Sequence, residues 1–116
     1  MLSDAPLSIE SREGKASGTR VFHLTGPITL PNVFALQSEL RNGEPPQVSI
    51  LDLAGVPYMD SAGMGAIVNY YTHCERKGSH LIVAAVSNRV MELFTLTKVN
   101  KIIPMAATVA EAEARA

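Results

Sequence analysis

The residues best suited to chemistry lie in one stretch, Tyr58-Met59-Asp60-Ser61-Ala62-Gly63-Met64-Gly65. A serine beside an acid invites a nucleophilic reading. Ser61 would then need a base, drawn from His23, His73 or His80, and a carboxylate to orient that base. The Gly-x-Ser-x-Gly elbow is absent, because Met59 stands where its first glycine belongs. His73 falls off the apolar stripe of its helical segment and reads as solvated. His80 opens a strand, and His23 sits on a strand near the sheet edge. No catalytic residue is assigned on these grounds and the protein is expected not to be an enzyme, with a Ser-His hydrolase kept as the enzyme alternative.

The glycines invite a phosphate cradle. Gly63-Met64-Gly65 has no third glycine at dinucleotide spacing and no Gly-Lys-Ser/Thr of a Walker loop. The plainer reading is a helix start. Asp60 or Ser61 can accept a hydrogen bond from the first free N–H groups, worth about 1 kcal/mol. Capping accounts for Asp60 and Ser61. It leaves two glycines in a first turn, each costing up to about 1 kcal/mol against alanine. Low side-chain bulk lets another surface approach the backbone. Ser61 therefore reads as an exposed hydroxyl handle for another protein's chemistry. A phosphoryl group there would meet the positive end of a helix. It would also add about −1.5 to −2 charges beside Asp60.

The remaining chemistry is sparse. The lone Cys74 and three dispersed histidines have no metal-ligand spacing. Cys74 reads as a small buried hydrophobe. No metal and no cofactor is expected.

The elements that must hold Ser61 follow from periodicity. Leu7 and Ile9 alternate with polar residues, and Thr19–Thr25 (TRVFHLT) reads as a second strand, joined through a polar turn over 12–18. An N-terminal hairpin over about 5–26 results. Pro31, Val33, Leu36 and Leu40 mark a helix closed by Asn42-Gly43 and Pro45-Pro46. Val48–Leu53 (VSILDL) is a strand apolar on both faces. The helix after it runs from Ser61 to Lys77 with a stripe of Met64, Ile67, Val68, Tyr71 and Cys74, and Gly78 ends it. His80–Val86 is another apolar strand. This strand–helix–strand core, about 47–86, implies parallel strands and a right-handed crossover. A helix over 88–98, a short strand at Ile102-Ile103, and a capped helix over about 108–115 complete the chain. The expected fold is a single α/β domain over 1–116, with a mixed sheet of four or five strands and about four helices.

The bulk properties narrow the partners. A chain of 116 residues, 47% apolar, can build one core. A net charge of −1 without a basic patch speaks against nucleic acid. The single cysteine fits a reducing compartment. The N-terminal stretch MLSDAPLSIES lacks a basic start and a continuous apolar run. No segment approaches the roughly 18 apolar residues of a membrane span. A soluble, cytoplasmic protein is expected.

Val48–Gly65, VSILDLAGVPYMDSAGMG, closely resembles the core signature of STAS domains, and is most similar to bacterial anti-sigma factor antagonists. Leu24–Leu40 is similar to the family's early strand–Gly–helix segment. The segments 79–86 and 90–103 fall where the family has a strand, a helix and a final short strand. The resemblance implies a partner-switching regulator of transcription. Its serine, here Ser61, is phosphorylated by a partner that is both anti-sigma factor and serine kinase. The unphosphorylated form sequesters that partner, and a PP2C-type phosphatase resets the switch. By position, Tyr58, Met59, Asp60, Ser61, Ala62, Gly63 and Met64 would line the partner contact, with Thr29 from the 27–31 loop. Thr29 departs from the acidic residue common there. The alternatives are a STAS subunit of a transporter and a stress-signalling scaffold. Between monomer and weak dimer the oligomeric state is left open.

Overall fold

In the computed structural model, residues 6–116 are described. The expectations for the first residues, the non-leader N-terminus and the first residue of the hairpin, lie outside them. The chain forms β1 (Ser8–Glu13), β2 (Thr19–Thr25), α1 (Leu30–Leu40), β3 (Val48–Gly55), α2 (Ser61–Arg76), β4 (His80–Ala84), α3 (Asn88–Leu96), a 3-10 turn (Val99–Lys101), β5 (Met105–Ala106) and α4 (Val109–Ala114). The five-stranded sheet has the order β1-β2-β3-β4-β5. β1 is antiparallel to β2, and every later pair is parallel. The expected α/β fold with a mixed sheet and four helices is what forms.

Alternation along the strands builds two apolar layers. Phe22, Leu24, Leu51, Leu53, Leu81 and Val83 face one side, against Leu36 and Leu40 of α1, Ile67 and Tyr70 of α2, and Phe94 of α3. Val21, Ile50, Ile82 and Ala84 face the other, against Ala112 of α4. The first layer buries one polar pair. Ser49 Oγ lies 2.7 Å from the Tyr70 hydroxyl, so both groups are satisfied in the core. Burial pushes the Tyr70 hydroxyl and the neighbouring Cys74 thiol up from their ordinary pKa values. Cys74 is the small buried group expected of it.

Four details depart from the sequence reading. The core tyrosine of α2 is Tyr70, with Tyr71 half-buried at the margin. Two adjacent tyrosines fit the period almost equally, and the Ser49 hydroxyl decides between them. β1 continues through Arg12 and Glu13, which pair with Val21 and Arg20, so the turn is only 14–18. β4 ends at Ala84 because Ala85 takes a positive φ of 61°. The last strand is Met105–Ala106, since Ile102 and Ile103 instead close the 3-10 turn through bonds to the Val99 carbonyl.

Candidate functional site

Ser61 is the first residue of α2, and it stands at the carboxyl ends of the parallel strands, where open α/β sheets carry their sites. The segment before it is held as an extended strand fragment. Ile28 N–H donates to the Tyr58 carbonyl at 3.2 Å, and Asp60 N–H donates to the Ile28 carbonyl at 3.2 Å. This bridge brings the 27–31 loop and the 58–65 stretch together.

Asp60 is the joint between them. Its Oδ1 accepts from Gly63 N–H at 2.9 Å, capping α2. Its Oδ2 accepts from Leu30 N–H at 3.1 Å, capping α1 from outside that helix. Thr29, at the N-cap position of α1, makes no side-chain cap bond, and its hydroxyl is buried with no hydrogen-bond partner. One carboxylate therefore serves the starts of both helices. Two positive helix ends point toward it.

The two glycines have different tasks. A Cβ at Gly63 would overlap the Ile28 carbonyl oxygen, so this glycine exists for the bridge within the chain. Gly65 is exposed, and a Cβ there would meet nothing within 4 Å. Clearance for another surface, read from the sequence for both, remains available only at Gly65.

The eight residues singled out from the sequence divide by exposure. Asp60 and Ser61 are exposed, and Tyr58, Met59 and Ala62 are half-buried. Thr29, Gly63 and Met64 are buried. Sequence reasoning passed over Arg89 of α3, whose guanidinium lies 5.1 Å from the centre of the Tyr58 ring. It also passed over Phe34 of α1, 88% exposed. The signal for it was present: it falls outside the Val33, Leu36, Leu40 stripe.

None of the histidines can serve Ser61 as a base. His23 lies on the opposite face of the sheet from α2, its Nδ1 2.6 Å from Asp52 Oδ2 and its Nε2 accepting from Arg12 Nε at 3.2 Å. His80 begins β4, at the far end of the strands. His73 lies about 18 Å along α2, at 1.5 Å per residue. It is half-buried at the helix surface, where it stacks on Tyr70 at 6.1 Å between ring centres and lies 3.0 Å from Arg41 Nη2. Desolvation, then the Arg41 charge, lowers its pKa and favours the neutral acceptor form. Among the described residues no cluster of histidine, cysteine or carboxylate side chains could hold a metal ion. No helix among them is long and apolar enough to cross a membrane.

The STAS domain family model matches residues 13–112. The chain belongs to the STAS domain family. Over 53 residues this STAS chain is 36% identical to the anti-sigma-B factor antagonist of Listeria monocytogenes, a match covering 46% of each chain. The matched region thus spans about half the length of that relative. An anti-sigma factor antagonist from Mycobacterium paratuberculosis superposes with a TM-score of 0.83 at 20% identity, over 95% of each chain. A sulfate transporter family protein from Wolinella succinogenes superposes with a TM-score of 0.77 at 24% identity, over 87% of this chain and 88% of that one. At these identities the two structures share the STAS fold.

Proposed function

We propose that this STAS protein is an anti-sigma factor antagonist whose grip on its partner is released by phosphorylation of Ser61. The observation that carries the reading is the exposed Ser61 hydroxyl at the first position of α2, beside a carboxylate already committed to two helix starts. The family and the name of the Listeria relative favour it.

The partner is an anti-sigma factor that is also a serine kinase. It docks on Tyr58–Met64 and the 27–31 loop while Ser61 is free. It then transfers a phosphoryl group from ATP to the Ser61 oxygen, releasing ADP and the hydroxyl proton. The first N–H groups of α2 lack intrahelical acceptors and stabilise the new dianion. Asp60 repels it, and the pair is too costly to desolvate against a partner. Dissociation follows. A PP2C-type phosphatase restores the free serine. The protein works in the cytoplasm, as one domain, and catalyses no reaction of its own.

The test begins with capture by Ser61→Ala protein from the native host, followed by purification of the kinase recovered. With ATP, that kinase should place phosphoryl mass on Ser61 of the wild type. Ser61→Ala should bind it constitutively and Ser61→Asp poorly. Recovery of a membrane permease in place of a kinase, or no modification of Ser61, overturns the reading.

A further inference from the structure

We infer that His23 is a proton-operated latch on α4: neutral, it holds Arg12 against Glu113, and protonated, it expels Arg12 and loosens the helix from the sheet. The inference stands apart from the reading of Ser61. It concerns the second face of the sheet, on which α4 packs. A chain of polar contacts crosses that face. Asp52 is anchored on β3, its Oδ1 accepting from Ala54 N–H at 3.0 Å. Its Oδ2 lies 2.6 Å from His23 Nδ1, and His23 Nε2 lies 3.2 Å from Arg12 Nε. Arg12 donates onward through Nη2 to Glu113 Oε2 at 3.0 Å, and through Nη1 to the Glu13 carbonyl at 3.2 Å. Glu113 Oε1 accepts from Lys15 N–H at 2.7 Å.

The proton on the ring follows from its neighbours. A guanidinium only donates, so Nε2 must present a lone pair. The ring is then neutral, and Nδ1–H donates to Asp52. A proton added at Nε2 sets N–H against N–H and cation against cation. His23 keeps Asp52, since a carboxylate binds the charged ring more strongly than the neutral one. Arg12 loses its acceptor. Its fork is rigid and planar, so Nε cannot swing away and leave Nη2 seated on Glu113. Asp52 of β3, Arg12 and Glu10 of β1 and, through Arg12, Glu113 of α4 are the charged groups that face the ring. Glu10 stands directly across from His23 in the strand pair and offers either cation an exposed carboxylate.

The change is felt at α4. Its six residues are too few to persist undocked. The Glu113 side chain is 6% exposed and is held by Arg12 and the Lys15 amide. With Arg12 gone, the Lys15 bond and the packing of Ala112 remain, so the helix loosens without departing. The latch is within reach of solvent protons, because the His23 side chain is 35% exposed. Imidazole is the side chain that changes charge near neutral pH.

An NMR pH titration of the full chain tests this, with hydrogen exchange of the Lys15 and Ala112 amides read alongside. Both amide shifts should follow the midpoint of the His23 ring. Their protection, corrected for intrinsic exchange, should fall about three- to tenfold across the same step, the worth of one hydrogen bond. In His23→Asn that step should vanish. Arg12→Met, at a side chain 44% exposed, removes the opposing cation and should raise the His23 midpoint. Amide midpoints that differ from that of His23, or a step that survives in His23→Asn, overturn the inference. So does a His23 midpoint that Arg12→Met leaves in place or lowers. A fall in protection that occurs only at lower pH, and is absent in Glu113→Gln, assigns the step to Glu113 itself, and the inference falls.

Discussion

Gly63 and Gly65 are both glycines in the first turns of α2, and they should respond oppositely to alanine. Gly63→Ala drives a methyl group into a backbone carbonyl that cannot yield, and should cost about 1–3 kcal/mol in urea unfolding. Gly65→Ala meets open space and should gain up to about 1 kcal/mol from helix propensity. If Gly65 provides partner clearance, that same stable variant should be a poorer kinase substrate. Thr29 offers a third residue-level test. Its hydroxyl is buried without a partner, and such burial costs about 1–3 kcal/mol. Thr29→Val, similar in shape, should therefore raise the urea midpoint. An unchanged or lowered midpoint would mean that the hydroxyl has a partner in solution. The sequence made Asp60 readable as a cap, because capping is local. It could not separate the two glycines, since Gly63 answers to Ile28, 35 positions away in the chain.

At the scale of elements, the strands and helices followed from period and punctuation, and the misplacements occur where a distant contact decides. β5 fell at Met105–Ala106 because the Val83 and Ala85 N–H groups bond the Pro104 and Ala106 carbonyls, a pairing no local pattern announces. α4 is a further case. Thr108 Oγ1 accepts from Glu111 N–H at 3.0 Å, as the capping pattern indicates. So short a helix still needs docking. Ala112 packs under the sheet, and the buried Glu113 accepts from Lys15 N–H at 2.7 Å and Arg12 Nη2 at 3.0 Å. The Lys15 bond first, and then the Arg12 guanidinium, hold the Glu113 carboxyl below its ordinary pKa. A lowered folded-state value stabilises the native protein above the unfolded pKa of about 4.3. That stability disappears as pH falls through the folded value. Urea unfolding should show this loss below about pH 4.3. In Glu113→Gln the Glu113 share of the slope should vanish; an identical slope in both proteins would refute the assignment.

For the molecule as a whole, the sheet is graded from centre to edge. β3 is hydrogen-bonded on both sides and covered on both faces, while β1 and the two-residue β5 are edges. Hydrogen exchange should be slowest in β3 and its neighbours β2 and β4, and fastest in β1 and β5. Phosphorylation of Ser61 should leave that ranking unchanged, because the serine lies on the rim of the core and not within it. Protection lost across β3 on phosphorylation would point to unfolding as the switch. The STAS architecture was legible as a whole because its signature joins a buried strand to a capped helix, two elements that periodicity describes well. The exposure of Phe34 was less so, since a pattern that marks what is buried leaves the rest undifferentiated.

Asp60 carries a consequence for genetics. A substitution that removes its carboxylate frees the Leu30 and Gly63 amides together, so two helix starts loosen at once. Loss of signalling in Asp60→Ala would then look like a lost partner contact even if no partner atom ever touches the residue. Suppressors of such an allele should map to changes that restore helix starts, and not to the partner's gene. Asp60→Asn keeps an oxygen for one amide and removes the charge, so the pair of alleles separates the architectural debt from the electrostatic one.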